Sequence, residues 1–194
     1  MSYRVILLMA RNVGYLTARQ TKASDECYTP KYAVLPILEF INKKWVIWCP
    51  FDTKDSEFVK VLKENGNKVI YSHLNDGKDF FSYEPKQKYD VIISNPPYSL
   101  KDEVIKRCYL LKKKFMLLMP LPALQGKFRF NYFKTGLELL VFDGRISYFT
   151  NGNTHKTQDG NSFASIYFCK DVLPQQLIFR QLSTYKNGCG SKND

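Results

Sequence analysis

The sequence predicts an α/β protein with a mainly parallel β-sheet and helices on both faces. Short apolar runs rich in β-branched residues, each as long as a buried strand, alternate with stretches whose apolar residues recur at helical spacing. This alternation occurs at least three times between residues 31 and 119, which favours parallel strands joined by right-handed crossovers. The 194 residues and their hydrophobic fraction of 44% fit one globular domain.

The amino-terminal half contains two of these repeats. Apolar positions three and four residues apart predict the first helix, although Pro36 interrupts it near its start. Capping residues and a glycine delimit the second helix. The predicted elements are a helix over 31–42, a strand over 45–49, a helix from the cap Asp55 or Ser56 to Gly66, and a strand over 68–72.

The pattern changes toward the carboxyl end. A strand over 89–94, a helix over 102–112 and a strand over 115–119 complete the alternation. Because no helical pattern separates the last two of the remaining strands, these two are expected to pair antiparallel at an edge of the sheet, with 150–162 as a polar surface loop between them. The remaining predicted strands are 138–142, 145–149 and 163–169.

Charge is the strongest signal in the composition. The chain carries 29 Lys and Arg against 18 Asp and Glu, a formal net charge of +11. Such an excess points to a polyanionic partner, and the lack of a basic amphipathic helix favours nucleic acid over a membrane surface. Neither a signal peptide nor a membrane-spanning stretch is recognisable, so the chain is expected to be cytoplasmic.

The cysteines and histidines do not suggest a metal site. The cysteines form no Cys-x-x-Cys pair and have no histidine at ligand spacing, which is typical of reduced thiols in an intracellular protein. His73 and His155 are isolated in the sequence and are expected to be structural or exposed. No metal is therefore expected. The five cysteines are Cys27, Cys49, Cys108, Cys169 and Cys189.

A rigid turn follows the strand over 89–94. Neither Pro96 nor Pro97 has an N–H, so the chain must leave the sheet there as a stiff, extended turn. At the carboxyl end of a parallel strand, such a turn lies where open α/β sheets bind ligands. The Asn95 side-chain oxygen and the Pro96 carbonyl can each accept a hydrogen from a planar amino group, while the Tyr98 ring offers a face for stacking. Two acceptors acting on these hydrogens would free the nitrogen lone pair for attack.

The run Asn95-Pro96-Pro97-Tyr98, with Asp90 in the preceding strand, resembles the catalytic signature of the adenine-N6 methyltransferases that use S-adenosylmethionine. The resemblance implies that these four residues are catalytic and that transfer to the amino nitrogen is direct, without a cysteine nucleophile. The same four residues serve some RNA and protein amide methylases, so RNA methylation at adenine N6 or guanine N2 is an alternative. The positive charge disfavours protein glutamine as the acceptor. A proline turn without chemistry is the other interpretation.

Further segments resemble the cofactor half of the same enzymes, in the order of the class whose cofactor motif comes first. A Tyr-Thr-Pro triplet precedes the first helix, the strand over 45–49 runs into a short turn ending in an acid, and an Asp-Phe pair follows the second strand. The resemblance implies an S-adenosylmethionine site. Its expected residues are Tyr28, Thr29, Pro30, Pro50, Phe51, Asp52, Ser72, His73, Asp79 and Phe80.

Two features depart from the usual pattern of these enzymes. No glycine occurs from Trp45 to Asn65, where their cofactor turn normally has glycines that let the backbone approach the ligand. Asp52 is expected to accept a hydrogen bond from the cofactor's ammonium group instead. The second strand ends in Ser72 and His73 rather than in a carboxylate that binds ribose. A relative that had lost its cofactor and only binds nucleic acid would share these features.

The overall likeness is to the small adenine methylases encoded by phages and mobile elements, over about residues 24–170. It implies a Rossmann-like class I methyltransferase fold, with a seven-stranded sheet whose last strand is antiparallel. The expected organisation is a segment over 1–23, one methyltransferase domain over 24–185 without a separate target-recognition domain, and a disordered tail over 186–194.

Nucleic acid is the expected partner, with DNA favoured and RNA as the alternative. An adenine in duplex DNA must be flipped out of the stack to reach the turn. Because no separate recognition domain is expected, contacts are expected from loops, and the oligomeric state is expected to be a monomer or a homodimer. The expected nucleic-acid contacts are Lys127, Arg129, Asn151, Asn153, His155 and Lys156.

Overall fold

The computed structural model describes residues 28–149, 164–182 and 185. Seven strands of this described part form one sheet in the order β2-β1-β3-β4-β6-β5-β7. The strands are β1 Val46–Cys49, β2 Lys68–Tyr71, β3 Val91–Ser94, β4 Lys114–Pro120, β5 Glu138–Phe142, β6 Ser165–Lys170 and β7 Leu177–Arg180. The α-helices are α1 Lys31–Val34, α2 Glu57–Glu64, α3 Lys101–Leu111 and α4 Lys127–Phe133.

The sheet is mainly parallel, as predicted. Strands β2, β1, β3 and β4 pair in parallel, and so do β5 and β7, whereas β6 is antiparallel to both of its neighbours, β4 and β5. The antiparallel strand is therefore the sixth in the chain and not the last. The predicted order did not include β7, which follows β6 and lies at the edge of the sheet beside β5.

Helices cover both faces of the sheet, which confirms the layered architecture. Apolar residues of α1 and α2 pack on one face, against side chains of β1, β3, β4 and β6 that include Ile47 and Tyr167. Residues of α3 and α4 pack on the other face, around Trp48 and Phe168. Successive side chains of a strand point to opposite faces, so the continuous apolar runs in the sequence supply both halves of the core.

The first predicted helix is shorter than expected. The α-helical part ends at Val34, and a 3-10 helix over Leu35–Phe40 replaces the rest of the predicted 31–42 helix. Pro36 explains the change, because it has no N–H to donate to the carbonyl four residues earlier. The 3-10 helix tolerates the proline at its own first turn.

The predicted antiparallel pair at the sheet edge does not form, because one of its two predicted strands, 145–149, is absent. Residues 145–148 are not in a strand, and Phe149 forms only an isolated bridge to Tyr28. Strand β6, the other member, pairs instead with β4 and β5. The predicted loop over 150–162 and the tail over 186–194 lie outside the described residues, as does the segment over 1–23.

The order of the strands creates a topological switch between β1 and β3. The chain leaves β1 toward β2 on one side and then returns to β3 on the other side of β1. Asp90 fixes the register of this pair, since its N–H donates to the Val46 carbonyl at 2.8 Å and its carboxylate accepts from the Val46 N–H at 2.7 Å. Crevices at such switch points, at the carboxyl ends of the strands, are where open α/β sheets bind ligands.

The cysteines in the described part of the chain have the character of core residues. Cys49, Cys108 and Cys169 are unpaired and buried. Burial raises the pKa of each thiol, that of Cys108 to about 12. These thiols are therefore protonated and unreactive.

The described residues contain neither a helix that could span a membrane nor a cluster that could bind a metal. None of the helices there has the length and apolar character that a membrane crossing requires. No group of three or more His, Cys, Asp or Glu side chains within 28–149 and 164–182 is arranged to bind a metal ion.

We expect Glu138→Ala to destabilise the fold. Both carboxylate oxygens of Glu138 accept backbone N–H groups of the turn after β6, from Asp171 at 2.9 Å, Val172 at 3.0 Å and Leu173 at 2.7 Å. Losing these charged hydrogen bonds should lower the free energy of unfolding by about 2 kcal/mol. Urea denaturation measures the change, with the exposed Glu103→Ala as a matched control expected to stay within about 0.5 kcal/mol of the wild type. Equal stability of the two variants would contradict this assignment.

Candidate active site

Two turns meet at the carboxyl ends of β1 and β3. The turn after β1 ends at Asp52, and β3 ends at Ser94, just before the Asn-Pro-Pro-Tyr run. The Ser94 hydroxyl donates a short hydrogen bond to the Asp52 carboxylate, and both side chains are buried. This bond links the predicted cofactor turn directly to the predicted catalytic turn.

The turn after β1 contains no glycine, and its backbone groups are hydrogen-bonded to the end of β2. The Asp52 N–H donates to the Ser72 carbonyl at 3.2 Å, and the Ser72 N–H donates to the Cys49 carbonyl at 3.1 Å. The turn is thus held against the end of β2, so the N–H of Asp52 is directed toward the protein. At this turn the carboxylate of Asp52 is the polar group placed between the two strand ends.

Asp52 carries an energetic cost that a purely structural residue would not need. Burial raises the pKa of its carboxyl from 3.8 to about 6, and hydrogen bonds from Ser94 and Ser56 lower it only in part. A desolvated carboxylate is stabilised most effectively by a cation placed beside it. The site therefore favours a positively charged group such as an ammonium.

The Tyr28-Thr29-Pro30 segment lies beside the Asn-Pro-Pro-Tyr turn. The Asn95 amide nitrogen donates to the Thr29 hydroxyl at 3.2 Å, across 66 positions of sequence. Reciprocal backbone hydrogen bonds of 3.0 Å between Tyr28 and Phe149 secure this segment, and Pro30 precedes α1. Two motifs that the sequence analysis assigned to different halves of the site are therefore in direct contact.

The end of the Asn-Pro-Pro-Tyr turn is anchored through Tyr98. Pro97 precedes a short 3-10 helix over Tyr98–Leu100 that leads into α3, while Pro96 is buried. The Tyr98 hydroxyl lies 2.9 Å from the hydroxyl of Tyr148, a fully buried residue that the sequence analysis did not single out. Only 8% of Tyr98 is exposed, so stacking of a base on this ring requires neighbouring side chains to move aside.

Of the Asp-Phe pair after β2, Asp79 is accessible to solvent and Phe80 is buried. The Asp79 carboxylate accepts the Phe81 N–H at 3.0 Å through one oxygen, and the side chain is half-buried. Phe80 is 2% exposed, and its ring centroid lies 5.4 Å from that of Trp48 and 4.8 Å from that of Phe51. Phe80 therefore packs in the core and does not present a ring face; Phe51 is the partly exposed ring at this place.

The predicted ribose contacts have structural partners. The Ser72 hydroxyl is fully buried and accepts the Trp48 indole N–H at 3.0 Å. Its role in the fold is to satisfy that indole, so it is not a hydroxyl open to a ligand. The His73 Nδ1 accepts the Asn75 N–H at 3.1 Å and caps the short helix over Leu74–Asp76.

Arg129, a predicted phosphate contact, has structural partners within the fold. The residue is 8% exposed, and its guanidinium donates to the Ala123 carbonyl at 2.6 Å, to the Gln125 carbonyl and to the Asp102 carboxylate. These bonds join the start of α4 to the first turn of α3. Lys127, by contrast, is exposed. The other predicted nucleic-acid contacts, Asn151, Asn153, His155 and Lys156, lie outside the described residues.

Comparison with known proteins gives one informative similarity. Over 90 residues the chain is 30% identical to the type II methyltransferase M.EcoRI of Escherichia coli. The match covers 42% of this chain, and the chain spans only 27% of the length of that protein. The similarity supports a relationship to methyltransferases but does not single out the small phage enzymes. No family model matches the chain.

We expect Asp52→Asn to change how stability depends on pH. Because the folded pKa of about 6 exceeds the ordinary value of 3.8, the protonated carboxyl favours the folded state, and this stabilisation is lost as the pH rises from about 4 to 6. Above that range the buried charge should cost about 3 kcal/mol, which asparagine avoids. Urea unfolding at several pH values should show Asp52→Asn gaining stability over the wild type as the pH rises. Parallel pH profiles of the two proteins would contradict the assignment.

Proposed function

We propose that this protein is an S-adenosylmethionine-dependent methyltransferase that acts on the N6 amino group of adenine in DNA. The observation that carries the proposal is the direct linkage of the two motifs: Asn95 to Thr29, and Ser94 to Asp52, at the switch point of a parallel sheet. The partial similarity to M.EcoRI supports the general reaction. The resemblance to small phage and mobile-element enzymes supplies the adenine assignment.

The chemistry of the site fits S-adenosylmethionine at its amino-acid end. Asp52 offers a buried carboxylate whose raised pKa is relieved by an ammonium group. Asp79, with one carboxylate oxygen committed to the Phe81 N–H, would accept from the adenine amino group, and Phe51 would pack against the ring. S-adenosylmethionine, when bound there, supplies an electrophilic methyl group.

The catalytic turn would hold the acceptor amine. The Asn95 side-chain oxygen and the Pro96 carbonyl accept the two hydrogens of the amino group, so its lone pair leaves conjugation with the base and becomes nucleophilic. The rigidity of two prolines keeps these acceptors in place, which lowers the entropic part of the barrier. As positive charge develops on the nitrogen, both acceptors stabilise it more strongly than they stabilise the neutral amine. The nitrogen would bond to the methyl carbon as the bond from that carbon to the sulfonium sulfur breaks, so a neutral thioether would leave and the extra proton on nitrogen would pass to water.

The target base would have to leave its duplex to reach this turn. Tyr98 would replace part of the lost stacking, and its hydroxyl contact with Tyr148 fixes the ring position. The net charge of +11 would provide affinity for the phosphate backbone. We infer that the protein acts as a monomer or homodimer in the cytoplasm, where DNA and S-adenosylmethionine are both available.

We expect Asn95→Ala to abolish transfer but to retain cofactor binding. The purified protein is incubated with radiolabelled S-adenosylmethionine and either unmethylated duplex DNA or bulk tRNA, and digested products are separated. The wild type should produce N6-methyladenine in DNA, and Asn95→Ala should lower the rate about 100-fold or more, because an acceptor of the amino hydrogens is lost. Asp79→Ala should instead weaken cofactor binding, and the exposed Asn75→Ala should match the wild type.

The outcomes separate the alternatives. Radiolabel found in tRNA but not in DNA would show that the substrate is RNA, and the proposed transfer to an amino group would still hold. Saturable cofactor binding with no transfer to either polymer would point to a different acceptor. A protein that binds DNA but no cofactor would be a nucleic-acid-binding scaffold, and the proposal would be wrong.

A further inference from the structure

An exposed apolar surface lies next to the candidate active site. Five of the large apolar residues that the described part of the chain leaves exposed occur just after β3 or β4, and we call them the apolar ridge. Phe130, on α4, is the most exposed of them at 63%. Isolated exposed apolar residues are ordinary, but four of these residues occur within the ten positions from Leu121 to Phe130, which makes this segment a candidate interaction surface. The apolar ridge consists of Leu100, Leu121, Leu124, Phe128 and Phe130.

The topology places the ridge at the active edge of the sheet. Strand β4 is parallel to β3, so Pro120 at its end lies on the same edge as Ser94. The 3-10 helix over Leu121–Leu124 and then α4 follow immediately, while Leu100 comes two residues after Tyr98. Helices α3 and α4 also pack against each other. The ridge is therefore a neighbour of the turn that would hold the target base.

Helix α4, which carries Phe128 and Phe130, is held in place by several hydrogen bonds. The buried Arg129 guanidinium ties α4 to Asp102 on α3 and to two carbonyls of the preceding segment. Gly126 permits this arrangement, because a Cβ at that position would lie 2.5 Å from the Arg129 guanidinium. Phe130, exposed on a helix held this firmly, loses little conformational entropy when it contacts a partner.

The charges around the ridge indicate the kind of partner. Lys127 is exposed at the start of α4, and the Lys134 ammonium lies 5.7 Å from the centroid of the Phe130 ring. Lys101 begins α3, and the Arg129 ion pair neutralises Asp102. Aromatic rings interleaved with lysines suit bases and phosphates together, whereas a hydrophobic protein partner would not require the positive charge.

We propose that the apolar ridge opens duplex DNA beside the target base, with Phe130 stacking on a base exposed when that nucleotide leaves the helix. The inference rests on the proposed function and extends it to the step before chemistry. Apolar side chains that enter a base step offset part of the cost of unstacking it. Lys127 and Lys134 would hold the flanking phosphates.

The test compares duplex DNA with acceptors that are already open. Initial rates of radiolabelled methyl transfer are measured on native genomic DNA, on the same DNA after heat denaturation, and on mismatched duplexes. The rate of Phe130→Ala on native duplex should fall about tenfold, with a smaller or no loss on at least one opened acceptor. Phe179→Ala is the matched control, since Phe179 is 65% exposed on edge strand β7, and it should match the wild type on every acceptor.

The results distinguish this inference from the function on which it rests. Transfer by the wild type to no DNA at all would remove the proposed function and the inference with it. If the wild type transfers methyl groups normally but Phe130→Ala is impaired equally on all acceptors, or on none, the proposed role of the apolar ridge is wrong. The proposed function would then still stand. Sedimentation provides a second check: a wild-type dimer that dissociates on Phe130→Ala substitution would make the ridge an interface between two copies of this chain, which also overturns the inference.

Discussion

The hydrogen bond between Ser94 and Asp52 is the interaction on which the site depends. It exists because β1 and β3 are parallel neighbours, so their carboxyl ends and the turns that follow lie at one edge of the sheet. The paired contacts of Asp90 with Val46 at the other end fix the register that brings these turns level. Any slip of this pair would separate the carboxylate from the Asn-Pro-Pro-Tyr turn.

A second hydrogen bond of Asp52, made by its backbone, explains why the turn after β1 needs no glycine. Glycines are required where a ligand must approach the backbone closely, but here the Asp52 N–H is bonded to the Ser72 carbonyl. In the proposed site, a ligand would therefore be recognised by the Asp52 side chain and not by the backbone of this turn. A buried carboxylate with a raised pKa destabilises the isolated protein, and such a cost is common where a function requires the charge.

Much of the architecture could be predicted because β1, β2, β3 and β4 are local apolar runs with clear turns. The proximity of Thr29 and Asn95 could be inferred only because both lie in short motifs that resemble those of known methyltransferases. No local sequence pattern predicts a contact between positions 66 residues apart. Helix α4 was missed because its apolar residues alternate in the manner of a strand, and β7 because it is a short edge strand with two of its four residues exposed. The burial of Arg129 and Phe80 could not be predicted, because segments distant in the sequence cover these residues and composition does not reveal such contacts.

The most direct test of the account is the number of protons released when S-adenosylmethionine binds. Calorimetric titrations at about pH 6 in two buffers of different ionisation enthalpy give this number. If the cofactor ammonium holds Asp52 ionised, a carboxyl with a pKa of about 6 should release about half a proton per site, and Asp52→Asn should release none. Binding without proton release, or an unchanged release in Asp52→Asn, would show that Asp52 is not the partner of the ammonium group.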